Sequence, residues 1–165
     1  MLDIGGGIGS IHHELLRRGI AASAVGVDAS SAYIQAAELN AQKLELAEQT
    51  EYHHADFALH ADDFEAADVV VLGRVICCYP HLEELLAAAA ERAQKFLSLS
   101  FQREEWWIKV FWQIGDLFLE LNRNKFHSYI HPHDKINAVA AQAGLRPVHS
   151  DRQGIWQIAV YERSA

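Results

Sequence analysis

Four glycines crowd the five positions from Gly5 to Gly9, just behind an aspartate at position 3. Glycine there lets a ligand approach the backbone, and a helix starting behind it exposes N–H donors with no partner in the chain. The spacing reads D-x-G-x-G-x-G, from Asp3 through Gly5 and Gly7 to Gly9, with Gly6 between. The dinucleotide frame G-x-G-x-x-G/A does not fit, because Gly5-x-Gly7 leads to Ser10 and Gly7-x-Gly9 leads to His12. A carboxylate heading this loop suits a ligand that carries an ammonium group, and it is poorly placed for a pyrophosphate. Two more acids stand where later strands should end. Asp28, followed by Ala29, can accept from both hydroxyls of a ribose, and it can also cap the next helix. Asp56 suits an adenine amino group with Phe57 beside the ring; a loop aspartate followed by a core phenylalanine is the plainer alternative.

These groups need strands that end along one rim. A short strand ends at Ile4, and a helix comes next with Ile8, Ile11, Leu15 and Leu16 on one face, stopped by Gly19. Ala24 to Val27 reads as a buried strand ending in Asp28, and Ser30 to Leu44 as a helix with Tyr33, Ile34, Ala37, Ala41 and Leu44 at core spacing. Thr50 to His54 is strand-like. The β-branched run Val69-Val70-Val71, with Leu72, marks a strand buried on both faces, as at the centre of a parallel sheet. A helix from His81 to Gln94 and a strand from Lys95 to Phe101 continue the alternation, which predicts an α/β doubly wound sheet built from right-handed βαβ units. After a helix carrying Ile136, Val139 and Ala140, Leu145–Ser150 and Ile155–Tyr161 flank Asp151-Arg152-Gln153-Gly154, so these two strands must be antiparallel.

The acceptor side is less specific. Glu104 to Leu121 reads as part of an insertion or lid helix at about 104–124, with Trp107, Val110, Phe111, Ile114, Leu117, Phe118 and Leu121 at helical spacing. That stripe could roof an apolar pocket, pack on the sheet, or join two copies as a homodimer. His131 is the candidate base or substrate donor, with Tyr79 as its first rival and His81 and Tyr129 behind. The histidine pairs lack zinc-site spacing, so no metal is expected. Cys77 and Cys78 come after a buried strand and read as core thiols.

With 165 residues, half of them hydrophobic and 22% charged, the chain is expected to form one domain over 1–165. Fourteen basic residues against 22 acidic ones give a net charge of −8, which argues against a nucleic-acid footprint and a polybasic membrane surface. No apolar stretch approaches the roughly 20 residues of a membrane span. Two adjacent cysteines cannot make a disulfide framework, and the opening Met1-Leu2-Asp3-Ile4 has no signal-peptide pattern, so a reducing, cytoplasmic setting is expected.

Across LDIGGGIG, VGVDAS, HHADF, ADVVVLGRVICCYPHLEELL and GIWQIAVYER, the sequence resembles the class I S-adenosylmethionine-dependent methyltransferases. The resemblance implies a seven-stranded sheet in the order 3-2-1-4-5-7-6, with strand 7 antiparallel and helices on both faces. It implies that Asp3 and the backbone of Gly5 and Gly7 face the methionine moiety of S-adenosylmethionine. Asp28 would hold the ribose, Asp56 and Phe57 the adenine, and Gly73-Arg74-Val75 would line the way to the acceptor. RVICCYP and the segment after it are similar to small-molecule O-methyltransferases, including those acting on magnesium protoporphyrin. Gly73 stands where the family often has a polar residue. Helices that usually precede the glycine loop are absent from this sequence, so the expectation is a truncated form or cover supplied by another chain. The implied activity is methyl transfer to a small molecule. The alternatives are a non-catalytic cofactor-binding domain and, behind it, a nicotinamide-dependent oxidoreductase.

Overall fold

A computed structural model describes residues 1–105, 129 and 131–164. Its strands are β1 (Leu2–Ile4), β2 (Ala24–Asp28), β3 (Thr50–His54), β4 (Ala67–Gly73), β5 (Ala93–Gln102), β6 (Leu145–Gln153) and β7 (Trp156–Arg163). They form one sheet in the order β3-β2-β1-β4-β5-β7-β6. All neighbours are parallel except β7, which runs antiparallel to both β5 and β6. The expected topology is therefore observed. The closing turn is shorter than expected, because β6 continues to Gln153 and leaves only Gly154 and Ile155 between the strands. The helices are α1 (Ser10–Arg17), α2 (Ser31–Lys43), the single turn α3 (Phe57–His60), α4 (Leu82–Arg92) and α5 (His133–Gln142). The insertion helix expected at about 104–124, and the homodimer face assigned to its stripe, lie outside the described residues from Trp106 onward.

Strand alternation divides the core between the faces of the sheet. Leu2, Ile4, Val70, Leu72, Leu97 and Leu99 point to one face and pack with Leu82, Leu85 and Leu86 of α4 and Ile136, Val139 and Ala140 of α5. On the other face a smaller cluster joins Leu16, Ala24, Ala41 and Leu46. Val69 and Val71 also point there, lining a hollow of about 650 Å³ with Ile11, Leu15, Phe96 and Val160. Although β1 has only three residues, its ladder is extended at both ends. Val25 N–H donates to Met1 O at 2.9 Å, and Gly5 N–H donates to Val27 O at 2.7 Å.

Two helical faces differ from expectation. In α1, Ile11 is 40% exposed and, just before it, Ile8 is 46% exposed, whereas His12 and His13 are buried with Leu16. The helix turns its histidines inward because a buried carboxylate and a tyrosine hydroxyl await them there. In α2, Ile34, Ala37 and Ala41 are buried as expected, but Tyr33, close to the capping Ser30, stays exposed, as does Leu44 just past the last turn.

Candidate functional site: a glycine loop over a buried polar row

Asp3 lies between Leu2 and Ile4, so when those two enter the apolar core it must point to the opposite face, toward α1. Register then builds a row, with Asp3 opposite Gly26 of β2 and Gly26 opposite Tyr52 of β3. A side chain at position 26 would come within 2.9 Å of the Tyr52 ring, and glycine leaves that space open. His12 bridges the two ends of the row. Its Nδ1 lies 2.7 Å from Asp3 Oδ2 and its Nε2 lies 3.1 Å from Tyr52 Oη. His13 Nε2 reaches the same hydroxyl at 2.6 Å. With Nδ1–H of His12 donating to the carboxylate, the Tyr52 hydroxyl donates to one ring and accepts from the other. Burial pushes the Tyr52 hydroxyl up, so it keeps its proton.

His13 is held down to about 4 from an ordinary 6.5, first by burial and then by the neighbouring His12. The unfolded chain takes up this proton near 6.5 and the folded chain only near 4. Stability present above pH 6.5 is therefore lost progressively as pH falls through that window. A thermal unfolding series should show the midpoint dropping across this interval. His13→Gln keeps a partner for Tyr52 without a titrating ring and should flatten that limb; an unchanged slope would remove His13 as its cause.

The glycine loop lies on top of this row. Gly6 packs over the Asp3 carboxylate, with a Cβ there 2.9 Å from Oδ2, and Gly9 packs on the His13 ring. Gly5 packs on Val75. Gly7 differs: φ is +57°, and nothing lies within 4 Å of where its side chain would be. Its N–H donates to Asp28 Oδ2 at 3.0 Å, while Ser30 N–H donates to Oδ1 at 2.8 Å. A carboxylate offers about four lone-pair sites, so roughly two remain on Asp28 for a diol. The neighbouring Ala29 is exposed, and its carbonyl accepts from His54 Nε2 at 3.0 Å. One element further, Asp56 caps α3 through Ala58 N–H at 3.1 Å and accepts from the Tyr79 hydroxyl at 3.2 Å. Burial, then Asp56, pushes the Tyr79 hydroxyl up.

Several expected site residues lie away from the open side of the loop. Asp3 is 0% exposed and lies beneath the loop, not on its open side; its Oδ1 has no hydrogen-bond partner among the described residues. Phe57 is 3% exposed and packs against Phe64 at 5.5 Å between centroids, so its ring belongs to the core. Gly73 packs on Ile11, and the Arg74 guanidinium sits 5.0 Å from the centre of the Trp156 ring; both line the apolar hollow. Arg74 also takes φ +62°, a left-handed conformation costing about 1–2 kcal/mol, held by N–H donation to Ser100 Oγ at 2.8 Å. His131 stands apart from the three acids. Its Nε2–H is shared between the Ile76 and Tyr79 carbonyls, each at 3.1 Å, so the ring braces the turn that carries Tyr79. Sequence reasoning missed His12, His13 and Tyr52; the adjacent histidines one turn behind the loop were the available signal.

The position of β7, antiparallel between β5 and β6, separates this sheet from a wholly parallel dinucleotide-binding order. With the glycine loop and the strand-end acids, it defines the class I S-adenosylmethionine-dependent methyltransferases. Residues 2–95 match the model of the methyltransferase-domain family, and the chain belongs to that family. This sets aside the nicotinamide alternative. Among solved structures, magnesium protoporphyrin IX methyltransferase from Synechocystis PCC 6803 with bound S-adenosylhomocysteine is 23% identical, with a TM-score of 0.78 over 99% of this chain and 73% of that one. An O-methyltransferase family protein from Burkholderia thailandensis is 23% identical, with a TM-score of 0.81 over 99% of this chain and 50% of that one. An O-methyltransferase family 2 protein from Planctomyces limnophilus, in complex with apigenin, is 18% identical, with a TM-score of 0.78 over 99% of this chain and 49% of that one. These likenesses are of fold, and the chain spans about half the length of the last two. No curated protein matches.

Proposed function

We propose that this chain binds S-adenosylmethionine across the ends of β1, β2 and β3 and directs its methyl group to a small-molecule acceptor. The observation that carries this reading is the tie between Gly7 N–H and Asp28, with open space above Gly7. When bound, the donor supplies an electrophilic methyl on a sulfonium, and transfer is an in-line displacement. Asp28 takes the ribose hydroxyls on its spare lone pairs. Asp56, held by Tyr79, accepts from the adenine amino group, and Phe57 supports that corner from within the core. Ala29 and the backbone of Gly5, Gly6 and Gly9 shape the floor. Asp3 acts from below, where its unpartnered oxygen adds negative charge under the position of an ammonium group. Gly73 and Arg74 edge the acceptor approach from the other side of the β4 end.

Neither candidate catalytic side chain is unengaged: the Tyr79 hydroxyl is given to Asp56, and His131 keeps only Nδ1 as an acceptor. A carboxylate acceptor needs no proton removed, and a hydroxyl acceptor could give its proton only to Nδ1 of His131. The two free cysteines support a cytoplasmic setting. Among the described residues no helix is long and apolar enough to cross a membrane. Calorimetry should give saturable one-to-one binding of S-adenosylhomocysteine that NAD does not compete away, and turnover should be seen on a panel of carboxylate and hydroxyl acceptors. Failure to bind would overturn the reading. Binding without turnover would favour the second reading, a cofactor-binding domain.

A further inference from the structure

The only two cysteines of the chain are adjacent, both are free, and they lie in the single turn Ile76–Cys78 directly after β4. Their sulfurs are 3.6 Å apart, with Cys77 buried and Cys78 exposed. Cys77 Sγ–H donates to the Arg74 carbonyl at 3.2 Å, which fixes the inner sulfur while the outer one faces solvent. The turn is tied to the cofactor side at two points and to the segment before α5 at a third. Val75 packs on Gly5 of the glycine loop, Tyr79 donates to Asp56, and His131 bridges the carbonyls of Ile76 and Tyr79.

We propose that Cys77 and Cys78 form a reversible dithiol modification site, oxidised to a vicinal disulfide by a small disulfide such as oxidised glutathione, and that closure weakens cofactor binding. The first part stands on the thiol geometry alone; the second rests on the site proposed above. The thiolate of Cys78 attacks one sulfur of the oxidant, forming a mixed disulfide and expelling one glutathione thiolate. Cys77, losing its proton to solvent, then attacks Cys78 Sγ and expels the second thiolate. The pair loses two electrons and two protons, and the oxidant becomes two thiols.

Exposure selects Cys78 as the attacking sulfur, and the thiol equilibria agree. Contact with the Cys77 sulfur holds Cys78 down to about 7, while the same contact and burial push Cys77 up. A low thiol value and solvent access are the two requirements of a reactive cysteine. Ring closure also explains why the site should be reversible. Consecutive Cα atoms are about 3.8 Å apart, shorter than the usual 4.4 Å or more across a disulfide. The closed ring is therefore strained and readily reduced. Bringing the sulfurs from 3.6 Å to bonding distance must move the turn, and with it Val75 and Tyr79.

The test uses the full chain, incubated with excess oxidised glutathione and read by intact mass. The expected product has lost two hydrogens, retains no glutathione, carries no covalent link to a second copy and reverts with dithiothreitol. Cys77→Ser should trap one glutathione, and Cys78→Ser should take up none. A wild-type chain that keeps glutathione, links to a second copy or stays reduced would overturn the dithiol site. Calorimetry with S-adenosylhomocysteine should then show about a tenfold loss of affinity in the oxidised form, roughly the worth of one charge-assisted hydrogen bond. Cys78→Ser should keep the reduced affinity after oxidant treatment. Equal affinity of both wild-type forms would overturn the coupling. If the reduced protein does not bind at all, the cofactor reading fails while the mass result still decides the dithiol.

Discussion

Asp28→Ala is expected to lower the affinity for S-adenosylhomocysteine by about 100-fold or more. Two hydrogen bonds from ribose hydroxyls to a carboxylate, at about 1.5 kcal/mol or more each, sum to about 3 kcal/mol, and each 1.4 kcal/mol is a factor of ten. The same substitution frees Gly7 N–H and Ser30 N–H, so it also loosens the loop from the end of β2. Asp28→Asn should lose less, about tenfold, because one amide oxygen still accepts while the charge is gone. Calorimetry of the three proteins should give the order wild type, Asn, Ala. A change below about threefold in the alanine variant would remove Asp28 from the ribose. The free N–H groups are partly exposed and can turn to water, so the folded population should change little.

His12→Leu makes the opposite kind of change, costing the fold before it costs the site. The Asp3 carboxylate is 0% exposed, Oδ1 already lacks a hydrogen-bond partner, and His12 is the partner of Oδ2. Removing His12 leaves a buried charge without compensation, a loss of about 3–5 kcal/mol. That is a large share of the roughly 5–15 kcal/mol that holds a domain together. Urea unfolding should show the midpoint falling by this amount with little change in slope. The double variant His12→Leu with Asp3→Asn has no buried charge to strand and should recover more than half of the loss. Equal instability of single and double variants would mean that His12 contributes packing alone.

Much of the architecture was legible because it depends on local pattern. The β-branched run of β4 announced a central strand, and the short spacing before Trp156 announced the antiparallel end. The D-x-G-x-G-x-G spacing located the loop, and the acids at positions 28 and 56 lie at the next two strand ends as expected. What stayed hidden depends on register and side-chain direction. Asp3 looked exposed because it heads the loop, but alternation in β1 turns it under the loop. Counting isoleucines predicted the wrong inner face for α1, since hydropathy rates histidine polar, whereas here a buried carboxylate makes imidazole the better match. Phe57 and Arg74 sit beside the right residues in the chain and beside Phe64 and Trp156 in space. The tie of His131 to the turn after β4 joins distant segments, and no local pattern encodes it.

The row Asp3, Gly26 and Tyr52 also bears on how the chain finds its fold. A central strand of three residues carries little oily surface with which to choose its alignment. Sliding β1 by one place would turn the aspartate into hydrocarbon and leave an imidazole and a phenol facing aliphatic side chains. Such a mispaired sheet is disfavoured electrostatically before any ligand arrives. The acid at the head of the loop thus acts as an alignment pin for assembly, and a loop grafted without its histidine and tyrosine would lose that pin.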